Sequence, residues 1–252
     1  MFFPYSSIKW IQLSFAVVLL SGVSALNFDP DDWYVIKKMG SISSITEDNY
    51  SIYILADNGI FTIDKSSGDI EYNVELSDNF YNPQIIYYDE YSDYFWLITG
   101  SEIYVKSSVS SYWRNLSYTD LGFDFRRTIY DIGSSPSYMW IDVGTQIYPV
   151  NAYGEGISED VEIDFTESDL IKWGNYSKGR SGESLDISQY LIMDDWHVGL
   201  KYIRDLDGNE IHPTVKLEDS NGEIWIGSEE GILLKGWRNS QRLEVIQTGP
   251  QS

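Results

Sequence analysis

The sequence predicts an all-β protein built from repeated four-stranded blades, and three observations predict it. First, Val215 to Leu234, VKLEDSNGEIWIGSEEGILL, reads as two short strands and the start of a third, separated by tight turns. Asn221-Gly222 supplies the positive φ that the first turn needs. Second, an anchor aromatic followed by aliphatics recurs through the chain. The copies are YILADNGIF at Tyr53, WLITGSEIY at Trp96, WIDVGTQIY at Trp140 and WIGSEEGIL at Trp225. Tyr53, Trp96 and Trp140 recur at a period of about 43 residues and Trp225 follows at about twice that interval, the signature of propeller blades with one further copy between. Trp196, in WHVGLKYIR, fits that copy and is displaced by a long connection through Tyr176 to Gly182. Third, β-branched and aromatic residues are abundant throughout, as strands favour.

The elements follow in order. Residues 1–25 carry Lys9, a mostly apolar run from Ile11 to Leu20, and Val23-Ser24-Ala25 with small residues at the −3 and −1 positions. This reads as a secretory signal peptide cleaved after Ala25. The apolar run is short for the ~20 residues of a membrane span, so no stable membrane insertion is expected after cleavage. The domain expectation is thus a signal peptide at 1–25 and a β-propeller at 26–252, with an N-terminal strand at 33–36. The blades lie at about 41–76, 84–117, 127–165, 187–212 and 214–247.

Blade one is read as Ile42 to Ile45, Ser51 to Leu55, Ile60 to Asp64 and Ile70 to Val74. Blade two is Ile85 to Tyr88, Phe95 to Ile98, Ile103 to Lys106 and Tyr112 to Leu116. Blade three is Thr128 to Ile132, Met139 to Val143, Ile147 to Val150 and Val161 to Phe165, with a helix at Glu167 to Trp173. Blade four is Gln189 to Met193, Trp196 to Val198, Tyr202 to Asp205 and Glu210-Ile211. Blade five is Val215 to Leu217, Glu223 to Gly227, Ile232 to Leu234 and Leu243 to Ile246.

Asp219, Gly222, Ile224 to Ser228 and Gly231 to Leu233 resemble the two-component-regulator type of propeller repeat. Its pattern is an Asp, a Gly-containing turn, an aliphatic-Trp-Ile-Gly-Thr strand, then a Gly and aliphatics. Ser228 stands where Thr is commoner. The other copies are degenerate: Tyr53 replaces Trp, and Ile98-Thr99 and Asp142-Val143 replace Gly-Thr. The resemblance implies an exported sensing or binding module that recognises ligands such as oligosaccharides. No kinase segment follows in this sequence.

The chain has no cysteine. A ~225-residue exported chain without disulfides must be held by its core, which stacked blades supply. The net charge of −22 argues against nucleic-acid partners, whose binding rests on Lys and Arg meeting phosphates. The surface is read as solvated and self-repelling. Asn-x-Ser triplets at Asn49, Asn115 and Asn175 would be glycan acceptors in a eukaryotic secretory pathway. A bacterial envelope origin leaves them without that role.

Catalysis is poorly supported. His197 and His212 are the two histidines; neither stands in a nucleophile motif, and both read as structural or surface residues. No metal or cofactor is expected. Asp205 to Glu210 invites a calcium reading, but Gly208 comes fourth rather than sixth, which suits a β-turn. The anchors Tyr53, Trp96, Trp140, Trp196 and Trp225 read as inter-blade core. Ligand-binding candidates lie in the turns after the anchor strands, which gather on one end face: Asp57, Asn58, Thr99, Ser101, Thr145, Gln146, Lys201, Glu229 and Glu230.

The function expected is a non-catalytic, extracytoplasmic module, periplasmic, envelope-bound or secreted, that takes a protein or oligosaccharide ligand. The alternatives are a propeller hydrolase or lyase acting on a polysaccharide or ester, and a structural part of a larger multi-blade envelope protein. Strand bookkeeping adds one expectation. Blade five already has its outer strand in Leu243 to Ile246, so Trp33 to Ile36 lacks a blade to complete. The expectation is then an open part of a larger propeller, with a gap between blades one and five; the rival is a compact five-blade ring in which Trp33 to Ile36 adds to blade five as an extra edge strand.

Overall fold

A computed structural model describes residues 39–78, 80–100, 102–119, 121, 128–154, 165–174, 185–193 and 196–246. They form five antiparallel sheets. The first comprises β1 (Ile42–Glu47), β2 (Ser51–Ala56), β3 (Gly59–Asp64) and β4 (Ile70–Tyr72), in that order. The second repeats it with β5 (Pro83–Asp89), β6 (Tyr94–Thr99), β7 (Ile103–Ser107) and β8 (Arg114–Leu116). The third contains β9 (Asp131–Ser134), β10 (Tyr138–Asp142), β11 (Ile147–Asn151) and β12 (Lys172–Trp173), ordered β11-β10-β9-β12. The fourth has β14 (His197–Val198), β15 (Ile203–Arg204) and β16 (Glu210–Ile211). The fifth runs β17 (Pro213–Glu218), β18 (Glu223–Ser228), β19 (Leu233–Trp237) and β20 (Arg242–Ile246), with β13 (Leu191–Ile192) on its outer edge. The architecture is an all-β, propeller-like array of blades.

The turns explain the hairpins. Asp219 Oδ1 accepts the backbone N–H of Asn221 at 2.9 Å and of Glu223 at 2.8 Å, and Gly222 holds φ at 80°. Four of the five sheets set an aromatic on their second strand: Tyr53 on β2, Trp96 on β6, Trp140 on β10 and Trp225 on β18. The three tryptophans are 0%, 1% and 2% exposed. Three of the four rings tie back to the preceding turn. Tyr53 Oη donates to Asp48 at 2.9 Å, Trp140 Nε1 to Ser135 at 2.9 Å and Trp225 Nε1 to Asp219 at 3.2 Å. Trp196 precedes β14 and is half-buried.

Four expectations are corrected. Val74 does not end a strand: Asn73 caps a short helix, α1 (Val74–Asp78), accepting the Leu76 N–H at 3.0 Å. The chain expected to be helical over Glu167 to Trp173 is a 3₁₀ turn at Phe165–Leu170 followed by β12. Glu167 of that turn grips the β9–β10 hairpin, accepting Ser135 Oγ at 2.6 Å and Ser137 Oγ at 2.7 Å, and the chain then returns along the free edge of β9. Phe165 lies in that 3₁₀ turn, while 161–164 of the expected fourth strand lie outside the described residues. Gln189 to Met193 does not open the fourth sheet. Its residues Leu191 and Ile192 pair parallel with Arg242 and Leu243, because β20 offers an unpaired edge and Ile192 gains burial against the same core.

The fourth correction concerns sheet order. The first and fifth sheets pack directly. Ile42, Ile45, Ile52, Ile54, Phe61 and Ile63 share one core cluster with Val215, Trp225 and Leu233. Thr214 Oγ1 donates to the Ile42 carbonyl at 2.5 Å. A Cβ on Gly227 would sit 2.4 Å from Ile42 Cγ2, so the glycine of Trp-Ile-Gly permits this approach. The gap expected between them is filled by that core, and Trp33 to Ile36 lies outside the described residues. Other clusters join the first sheet to the second, the second to the third and the fifth to the fourth. Among the described residues no such cluster joins the third sheet to the fourth.

Candidate functional site

Every blade hairpin has two ends. The turns between second and third strands carry the residues singled out from sequence. Asp57 and Asn58 close β2 to β3 and hold the incoming chain: Asp57 N–H donates to Ser41 O at 3.0 Å and Asn58 N–H to Met39 O at 3.1 Å. Gly40 lies between this turn and the β18–β19 turn. A Cβ on Gly40 would sit 3.0 Å from Asp57 Cβ, and one on Gly231 would sit 2.6 Å from Gly40 O. Beside Asp57 and Asn58 is a recess of about 220 Å³, walled by Tyr72, Phe80, Ser77 and Asn82.

The remaining candidates divide. Thr99 is buried and locks its own turn, its Oγ1 accepting the Glu102 N–H at 3.0 Å. Gly100, next to it, faces Asn82 of the recess. Ser101 lies outside the described residues. Glu229 and Glu230 are exposed in the β18–β19 turn, where Glu230 meets His212. Thr145 and Gln146 are exposed in the β10–β11 turn, and Lys201 is exposed in the β14–β15 turn. None of these three lines the recess.

The larger depression is at the opposite end and was not anticipated. It measures about 480 Å³ and is bounded by the turns between first and second strands: Thr46 to Asn49, Tyr87, Tyr88 and Glu90, and Leu217 to Ser220. Lys172, Trp173 and Gly174 close its fourth side. Their placement depends on Gly133, where a Cβ would meet Lys172 O at 2.7 Å. Tyr87 Oη binds Ser134 Oγ at 2.8 Å and donates to Lys172 O at 3.0 Å, pinning β12 across the second and third sheets.

Glu47, Asp48, Glu90, Glu218 and Asp219 make this depression acidic. Several are held by neighbours. Lys65 pairs with Glu47, Lys172 with Glu90, and Arg238 with Glu218 at 2.9 Å. Glu47 also bridges to the fifth sheet, accepting the Ser220 N–H at 2.6 Å. The hydrogen bond to Glu90 raises the Lys172 ammonium above its ordinary range, against partial desolvation. Burial pushes the Tyr87 phenol well above its ordinary value. Tyr88 is pushed up in the same direction by burial and by its bond to Asp93. The site therefore offers fixed carboxylate acceptors, neutral phenols and the half-buried Trp173 ring. These are groups suited to holding hydroxyls, amides or cations.

No family model and no curated protein matches the chain. Solved structures do. One is the extracellular domain of BT4673 from B. thetaiotaomicron, a proposed hybrid two component system, at 16% identity and a TM-score of 0.37. The match covers 81% of this chain and 22% of that one. A second is BamB from Moraxella catarrhalis, at 12% identity and a TM-score of 0.31, over 81% of this chain and 52% of that one. A third is YCF48 bound to D1 peptide, at 13% identity and a TM-score of 0.27, over 81% and 66%. The chain thus spans about a fifth of the length of the BT4673 domain. The fold assignment itself rests on the sheets described above.

Proposed function

We propose that this chain is a non-catalytic binding module that works outside the cytoplasm. Its ligand, a protein segment or an oligosaccharide, sits in the 480 Å³ depression between the first-to-second strand turns. One observation carries this reading: the depression has the volume of a small-ligand site, about 300–1,000 Å³, and is walled by three sheets plus β12. Its aromatic and carboxylate lining supports the same conclusion. An amino-terminal signal peptide cleaved after Ala25 accounts for export. No helix among the described residues is long and apolar enough to cross a membrane.

The test is a binding screen of the purified protein on glycan and peptide arrays, followed by substitutions at both ends. Trp173→Ala should abolish a hit at the depression, while Asn58→Ala leaves it intact. The opposite pattern would move the site to the recess beside Asp57. Turnover of an arrayed glycan or ester, abolished by a single carboxylate substitution, would overturn the non-catalytic reading.

A further inference from the structure

We propose that His212, Glu229 and Glu230 form a binding site for a divalent transition-metal ion of the zinc type. The three come from two segments of chain. His212 lies in the link between β16 and β17, and the glutamates open the β18–β19 turn. Their candidate donor atoms, one imidazole nitrogen and two carboxylate oxygens, all lie within 4.8 Å of one another. His212 Nδ1 stands 2.9 Å from Glu230 Oε1. Zinc takes imidazole and carboxylate ligands at ~2.0–2.2 Å, so two donors on one ion stand ~3–4 Å apart. Small side-chain rotations close the rest of the distance.

The backbone fixes this arrangement before any ion arrives. Glu229 N–H donates to His212 O at 2.9 Å, and His212 N–H donates to Glu230 Oε2 at 2.8 Å. The β17–β18 register, with Pro213 opposite Ser228, places His212 across from the turn. All three residues reach solvent, so an ion can enter directly. Three protein ligands leave a fourth position open for water or an incoming donor.

The competing reading is a simple His–Glu pair. It uses one of the two glutamates whose carboxylate oxygens stand within 4.8 Å of the imidazole nitrogen, whereas a divalent ion can take both. When the ion binds, neutral His212 carries its proton on Nε2, and the Nδ1 lone pair and the Glu230 carboxylate, now 2.9 Å apart, both turn to the ion. The site borders the recess end of the molecule through Gly231 and Gly40, away from the acidic depression, so it stands independently of the function proposed above.

Calorimetric titration of the chelator-stripped protein with Zn²⁺ alone tests the proposal. One ion should bind per chain with saturation. His212→Gln, Glu230→Gln and Glu229→Gln should each weaken binding by at least about tenfold, the lower end of what even residues that merely orient a ligand cost. Glu229→Gln is the decisive variant, because it leaves the His212–Glu230 pair intact and sits in an exposed turn. Melting curves of each variant without metal check that it folds. Absence of saturable binding would overturn the site. So would one-to-one binding that survives all three substitutions, or binding weakened at His212 and Glu230 alone.

Discussion

Replacing Gly227 with Ala probes the junction between the first and fifth sheets with the smallest change available. The added methyl would lie 2.4 Å from Ile42 Cγ2, 2.8 Å from Ile42 Cβ and 3.0 Å from Val215 Cγ1. Contacts below 3.0 Å cannot persist, so β18 or β1 must shift by several tenths of an ångström. Ile42 cannot give way easily. It is fully buried in the shared cluster, and its carbonyl holds Thr214 Oγ1. The glycine's own φ is not in the left-handed region, so the cost is steric rather than conformational. Overpacking of this kind destabilises by about 1–3 kcal/mol. Denaturant unfolding of the wild type and the variant measures it directly. A double-mutant cycle with Ile42→Ala adds specificity: the pair should be less destabilised than the sum of the singles by at least ~0.5 kcal/mol, since the second change removes the clashing Cγ2. A Gly227→Ala variant within ~0.5 kcal/mol of wild type would refute the face-to-face packing of these two sheets.

Three further outcomes are expected. Trp225→Ala should cost ~3–5 kcal/mol, the range of buried aromatic deletions, and Trp225→Phe about 1–3 kcal/mol, because Asp219 loses its indole donor; a Trp225→Ala protein that melts like the parent yet loses ligand would make the ring a binding platform instead. Tyr87→Phe should loosen β12, read as faster amide exchange at Gly174, whose N–H donates to Ile132 O at 2.8 Å; unchanged exchange would break the proposed pinning. Stability should fall as pH rises above about 10. Unfolded phenols ionise there, while burial keeps Tyr87 and Tyr53 neutral in the folded chain and the Glu102 bond holds Tyr104 up to about 12. Equal denaturation midpoints at pH 9 and pH 11 would contradict those assignments.

The repeat was legible because it is written in local chemistry. An aromatic on the second strand of four blades, a turn on either side and aliphatics opposite are all visible within nine residues. Strands of five or six residues at Ser51–Ala56, Tyr94–Thr99 and Glu223–Ser228 carry enough pattern to be placed. β12 and β13 have two residues each. No period can be read from two residues, and their partners were chosen by which sheet edges were left free. The same limit hid the depression. Asp48 and Asp219 look like ordinary turn residues, and nothing local announces that Lys172 to Gly174 returns to stand beside them. His212 is different. Its proximity to Glu229 follows from extending the Asp219 to Gly222 hairpin back to the Pro213–Ser228 pair, so it was readable from register, though not from any motif.

The inner strands explain why ligands should meet this protein at its ends rather than between its blades. β1 faces β5 through side-chain bonds instead of a water-filled seam. Ser44 Oγ donates to Ile86 O at 2.9 Å and accepts Ile86 N–H at 3.2 Å, and Thr46 Oγ1 accepts Tyr88 N–H at 2.9 Å. On the other side of β1, Thr214 supplies the equivalent bond to Ile42. A short hydroxyl side chain between two backbones satisfies groups that burial would otherwise leave unpaired, and it leaves no room for a guest. Beyond the last of these bonds, at Thr46, the strands turn outward and the wall becomes Glu47, Asp48 and Tyr88. The change from hydroxyl to carboxylate and phenol within two residues marks where packing ends and a recognition surface begins.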